Sequence, residues 1–170
     1  MKNTTVIFIS LFTLLVVCLA FVSPAYAGTG PTLPPRIIPV TGNGLMTVVN
    51  GMPNQFNMKD GDEVLVPSMD MRDLKISITT EKHKTMPSAL PENVHFIDAL
   101  TVNLVQNSSV VEKLPNKVEL LVSFARDAML FDMEETVAIL HWNGQKWIEA
   151  SCNLLETKTS LPGLYVLVSR

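Results

Sequence analysis

Apolar residues follow one another without a period near the start of the chain. From Val6 to Val22 the sequence reads VIFISLFTLLVVCLAFV, 17 residues interrupted only by Ser10 and Thr13. Beyond residue 43 the pattern changes to short apolar–polar alternations divided by turn residues. Leu74–Thr79 and Val118–Phe124 place apolar side chains at even positions, the period of a strand with one face on a core and one in water. The strand candidates are Leu45–Asn50, Glu63–Pro67, Leu74–Thr80, Val94–Ile97, Leu100–Val105, Val118–Phe124, Thr136–Trp142, Lys146–Ala150 and Leu164–Val168. Between them stand Gly42-Asn43-Gly44, Asp60-Gly61-Asp62, Asn107-Ser108-Ser109, Pro115-Asn116 and Pro162-Gly163. About 8–9 short strands at fairly even spacing predict an all-β sandwich or barrel. The one helical candidate, Ala125–Glu135, is expected to be a loop with at most a short helical turn.

The sharpest local signal is Val137–Ala150. Asn143-Gly144 suits a two-residue type I′ turn, which needs two positive φ angles. That turn would set Trp142 opposite Gln145 and Leu140 opposite Trp147. Trp142, Leu140 and Trp147 would then share a face. The functional reading makes Trp142, Trp147 and the adjacent His141 a ligand platform, for example for sugars. The core reading, favoured by the leucine partner, makes the indoles packing residues.

The N-terminal run sets the compartment. Lys2 precedes it, and Ser23-Pro24-Ala25-Tyr26-Ala27 closes it with small residues at the −3 and −1 positions of a signal-peptidase site. We expect residues 1–27 to be a signal peptide cleaved after Ala27, which contacts the membrane only before cleavage. The alternative is an uncleaved anchor at the short end for a span. Cys18 follows Val17, where a lipobox wants a small residue, so acylation is disfavoured. Residues 28–43 begin with GTGPTLPPRIIP and read as a Pro/Gly-rich linker or an ordered edge segment. Residues 44–170 are the expected β-sandwich domain. After cleavage Cys152 would be the one remaining thiol, excluding an internal disulfide; a small buried apolar role is expected. Ile38-Pro39-Val40-Thr41-Gly42 has the form of a sortase signal but stands at the wrong end of the chain.

Composition adds little beyond this. The 47% apolar content is inflated by the first 27 residues. The remainder carries 12 basic and 16 acidic residues, which argues against nucleic-acid binding. No Gly-x-Ser-x-Gly, phosphate-cradling glycine loop or Cys–His spacing is present. His83, His95 and His141 form no metal-ligand spacing. Met46, Met52, Met58, Met69 and Met71 could bind Cu(I) with His95 or His141, though methionine more often fills cores. Asp60-Gly61-Asp62-Glu63 could offer oxygen ligands to calcium but lacks the other positions of an EF-hand loop; a polar turn is favoured. Asp132, Glu134 and Glu135 are expected in a solvated loop.

The run Thr136–Ala150, with His-Trp-Asn-Gly-Gln-Lys-Trp at its centre, resembles an aromatic–Asn/Asp-Gly–x–x–Trp hairpin. That hairpin occurs near the C-terminus of ZU5-like β-sandwich modules in exported bacterial proteins. Val64-Leu65-Val66-Pro67, Leu90-Pro91-Glu92, Leu114-Pro115-Asn116-Lys117-Val118 and Gly163–Val168 resemble other segments of those modules. With Ile38–Gly42, the chain is similar to small secreted proteins of filamentous, Chloroflexi-type bacteria. Ser68-Met69-Asp70 and Leu161-Pro162 depart from the family's turns. The resemblance implies an immunoglobulin-like, non-catalytic sandwich module without catalytic residues or cofactor. Its expected role is binding or structural, secreted or at the cell envelope, with an unknown protein or glycan of the envelope as partner. The alternatives are a carbohydrate-binding module using exposed tryptophans, or an exported copper binder.

Overall fold

The computed structural model describes residues 34–125, 136–150 and 155–170. Residues 1–27, where a signal peptide is expected, the helical candidate past Ala125 with Asp132, Glu134 and Glu135, and Cys152 lie outside the described residues. The described part is built of strands joined by turns, with one 3-10 turn at His83–Thr85. Among the described residues no helix is long and apolar enough to cross a membrane.

In chain order the strands are β1 (Arg36–Pro39), β2 (Met46–Thr47), β3 (Asn54–Asn57), β4 (Glu63–Val66), β5 (Leu74–Thr80) and β6 (His95–Gln106). They continue as β7 (Ser109–Val110), β8 (Leu120–Ser123), β9 (Val137–Trp142), β10 (Trp147–Glu149), β11 (Glu156–Thr159) and β12 (Gly163–Ser169). One sheet runs β1-β3-β4-β8-β11 and the other β10-β9-β12-β6-β5-β2, with β7 also paired to β6. All pairings are antiparallel except that of β1 with β3. The chain is therefore an all-β, sandwich-like fold of two sheets.

Alternation explains the core. Phe56, Val64, Val66, Leu120 and Val122 of the first sheet meet Leu74, Ile76, Ile78, Leu100, Leu104, Ile139 and Tyr165 of the second in one buried cluster. The second sheet is also covered on its outer face. There Ala99, Ala138, Leu140, Val166 and Val168 are buried beneath Met86, Leu90 and Val94 of the segment that leads into β6. Burial on both faces is why β9 and β12 read as continuous apolar runs rather than alternations.

Three elements differ from the sequence expectation. The linker assigned to residues 28–43 contributes Arg36–Pro39 as an edge strand, so the folded unit reaches well N-terminal of Gly44. Proline 39 is tolerated there because an edge position leaves one side of the strand without ladder bonds. The Trp hairpin has a different register: Trp147 pairs with Trp142 and Glu149 with Leu140. Gly144 has φ +91° but Asn143 has no positive φ, so the turn is not type I′. Instead Asn143 Oδ1 accepts the backbone N–H groups of Gln145 and Lys146 at 3.0 and 2.8 Å, an Asx turn inside a four-residue loop. The shift moves the pairing but leaves Trp142, Leu140 and Trp147 on one face. The two-residue loop with both φ angles positive occurs at Asn107 (φ 49°) and Ser108 (φ 65°), between β6 and β7. Finally, Val94–Ile97 and Leu100–Val105 merge into the 12-residue β6. This strand is bulged, because Asp98 pairs with Leu167 and Phe96 with Val168, leaving Ile97 as the extra residue.

Candidate functional site

β6 has two edges. From Leu100 to Gln106 one edge is taken by β5. The other is shared: β12 begins at Gly163 opposite Val102, and β7 takes over at Val105 and Gln106. Between the start of β12 and the β7 hairpin the sheet is interrupted. The interruption opens a groove of about 460 Å³ lined by Asn103, Glu112, His141, Trp142, Asn143 and Gly163 among others.

β9 supplies two neighbouring residues that face opposite sides of its sheet. Ile139 and His141 point into the space between the sheets, Leu140 and Trp142 outward. His141 is 6% exposed and stacks on Tyr165, its register partner on β12, at 4.7 Å between ring centroids. Its Nε2 is buried without a hydrogen-bond partner. Burial pushes the imidazole below its ordinary pKa, against the pull of the Pro162 backbone. The neutral ring therefore dominates at neutral pH. Tyr165 is anchored in turn by its hydroxyl, which bonds Thr159 at 3.2 Å and donates to the Leu161 carbonyl. Burial raises that phenol to about 12.

The three residues of the expected platform are used differently. Trp142 is half-buried and lines the groove with His141. Trp147 is also half-buried, but it packs against the outer cluster and its Nε1 donates to the Ala89 carbonyl at 2.9 Å. The indoles touch at 5.1 Å between centroids with a 57° tilt. Trp147 thus packs against Trp142, and of the two tryptophans Trp142 is the one that lines the groove.

Gly163 is a groove residue that the sequence marked only as half of a Pro-Gly turn. Its φ is +145°, and a Cβ there would lie 2.9 Å from His141 Nε2. Both the backbone and the close approach of the imidazole require glycine. We expect Gly163→Ala to lower stability by about 1–3 kcal/mol through overpacking and a strained φ. Urea denaturation of the variant measures it; a midpoint equal to wild type would show that the contact relaxes freely. Asn103 and Glu112, the polar rim, carried no sequence signal, because only the gap between β7 and β12 brings them together.

The metal candidates fall elsewhere. Met46, Met58, Met69 and Met71 pack on the main core and Met86 on the outer cluster. His83 stacks on Phe96 at 5.3 Å. His95 and His141 flank β12 on opposite sides, paired with Ser169 and Tyr165, which are four residues or about 13 Å apart along that strand, so the two imidazoles do not meet. The acidic residues of the Asp60–Glu63 turn do converge with another carboxylate, described below.

The fold and groove define a two-sheet β module with a polar-rimmed cleft at one end. No protein-family model, curated protein or solved structure matches the chain.

Proposed function

We propose that this chain is a non-catalytic binding module of immunoglobulin-like, ZU5-like type that acts outside the cytoplasm, with the groove at His141 and Trp142 as its ligand seat. The reading is carried by one observation: Trp142 lines a groove rimmed by Asn103, Asn143 and Glu112, while Trp147 lies outside it and is spent on packing. An indole face offers apolar contact to the C–H face of a sugar ring, and amides and a carboxylate offer partners for its hydroxyls. A glycan of the envelope is therefore the favoured ligand class. The signal-like segment at residues 1–27 supports export, and the two-sheet, all-β arrangement is consistent with a sandwich module. The copper reading gains no such support, because Met46, Met58, Met69 and Met71 pack on the main core, which leaves Met52 alone of the five candidates outside it.

The test is a screen of soluble envelope oligosaccharides followed by tryptophan fluorescence. Trp142→Ala is expected to weaken binding by at least about tenfold, the loss of roughly 1.4 kcal/mol. A ligand that binds equally well to Trp142→Ala would remove the groove as the seat. Turnover of any substrate by the purified protein would end the non-catalytic reading.

A further inference from the structure

Asp60 and Asp62 sit on the turn between β3 and β4, in one sheet. Asp98 comes from β6, in the other, at the bulge where Ile97 is inserted. The fold brings one oxygen from each to within 4.8 Å of the others. The three differ in depth: Asp60 is exposed, Asp98 half-buried, and Asp62 is 1% exposed. The sequence suggested a polar turn here, but its central carboxylate lies under the fold.

Part of the arrangement is explained by structural hydrogen bonds. Asp62 Oδ1 accepts the Ala125 N–H at 2.6 Å, tying the turn to the end of β8. Asp98 Oδ1 accepts the N–H of Ala99 at 2.7 Å, and Asp60 reaches the Asp62 N–H and the Thr80 hydroxyl more loosely. Asp62 Oδ2 is shut away from solvent and no N–H or hydroxyl donor reaches it; the group it meets is the Asp98 carboxyl, with Asp60 adding a second negative charge nearby. A buried carboxylate oxygen without a partner is costly. Two carboxylates in contact need something positive between them, a proton or a cation.

We infer that Asp60, Asp62 and Asp98 form a calcium site, in which Asp62 Oδ2 is the buried ligand and the exposed Asp60 the surface one. All donors are carboxylate oxygens, the set that hard cations prefer and that copper or zinc does not demand. A Ca²⁺–oxygen distance of about 2.4 Å lets oxygens that lie within 4.8 Å of one another share one ion. Magnesium demands a tighter octahedron at about 2.1 Å and gives up its water reluctantly. Because the ligands come from both sheets, the ion would join the β3–β4 turn to β6, next to the Ala125 tie. The site is separate from the proposed ligand groove and does not depend on that reading.

The experiment uses the full-length protein stripped with chelator, titrated with Ca²⁺ by calorimetry and by melting temperature at about pH 8, above the value of about 7 to which Asp62 is raised. Saturable binding is expected with Kd in the range of roughly 0.1–1 mM or tighter, as in extracellular modules. Asp62→Asn should weaken it at least about tenfold and abolish the rise in melting temperature. Asp60→Asn, at an exposed position where folding is not at stake, should weaken binding severalfold. Absence of saturation up to about 10 mM Ca²⁺ in the wild type would overturn the proposal. So would undiminished binding in both variants, or Mg²⁺ binding as tight as Ca²⁺.

Discussion

In the presence of chelator, the protein loses stability as pH rises from about 4 to about 7, and Asp62→Asn abolishes most of that loss. The cause is the Asp62 carboxyl, which burial, with Asp98 and Asp60 beside it, raises from 3.8 to about 7 against the opposing Ala125 N–H bond. Burial raises Asp98 in the same direction. A raised acid holds its proton in the folded state where the unfolded chain has already released it. The favourable contribution is thus complete below pH 3.8 and is lost as pH climbs through about 7. A shift of this size corresponds to something on the order of 4 kcal/mol between the two ends of the window. His141 acts in the opposite sense. Its lowered pKa contributes stability present above its unfolded value of 6.5 and lost as pH falls. The informative quantity is therefore the difference between wild type and Asp62→Asn. Asparagine keeps an acceptor for the Ala125 N–H and cannot ionise, so the two stability curves should converge at acid pH and separate toward pH 8, the variant being the more stable. Urea midpoints across that range decide it, and parallel curves would mean that Asp62 is ionised throughout.

Asn54→Ala is expected to cost about 3 kcal/mol, roughly one for each hydrogen bond removed. Asn54 has no exposed surface and begins β3 beside the tight loop that follows β2. Its Oδ1 accepts the Val49 N–H at 3.0 Å, and its Nδ2 donates to the carbonyls of Val49 at 3.0 Å and Met52 at 2.8 Å. One side chain thus satisfies three backbone groups of a turn that has no ladder of its own. Alanine would leave them to compete for water at a site partly closed to it. A fall in melting temperature of about 10 °C is the expected readout for a domain of this size. Asn54→Asp separates bonding from shape. It is isosteric, but it replaces the donor with a second acceptor facing two carbonyls and buries a charge. It should be no better than alanine, and a variant as stable as wild type would show that shape alone holds the loop.

How legible each element was depended on where its order came from. β5 was read at its observed bounds, because Leu74, Ile76 and Ile78 alternate with polar neighbours and all three are buried. β4, β8, β9 and β12 were found for the same reason, their apolar residues being strand-spaced or continuous. β3 and β11 were missed. Asn54-Gln55-Phe56-Asn57 and Glu156-Thr157-Lys158-Thr159 carry almost no apolar pattern. Their buried polar positions, Asn54 and Thr157, are satisfied by side-chain bonds to the backbone just before their strands, which leave no apolar period; the Thr157 hydroxyl donates to the Ala150 carbonyl. The Trp hairpin was recognised, but its register was not, because the Asn143 side chain competes with the backbone for the turn. Of the site, Trp142 and His141 were named from the sequence. The distinction between Trp142 and Trp147 was not, since it rests on a hydrogen bond from Trp147 to Ala89, in the covering segment before β6.

The sequence by itself determined what depends on neighbours along the chain: a signal-like apolar run set apart from the domain, an all-β class, most strand positions and the shared face of Trp142, Leu140 and Trp147. Each follows from a period or a composition that no distant residue can change. Only the tertiary structure decided what depends on residues far apart in sequence. The groove exists because β7 and β12 divide one edge of β6 between them. The carboxylate cluster exists because a turn of one sheet lies against a bulge of the other. Asp62 shows the difference most plainly. In the sequence it is one acid in a polar turn, and in the fold it is a buried oxygen without a donor, because burial and charge repulsion are properties of the space around a residue rather than of its place in the chain.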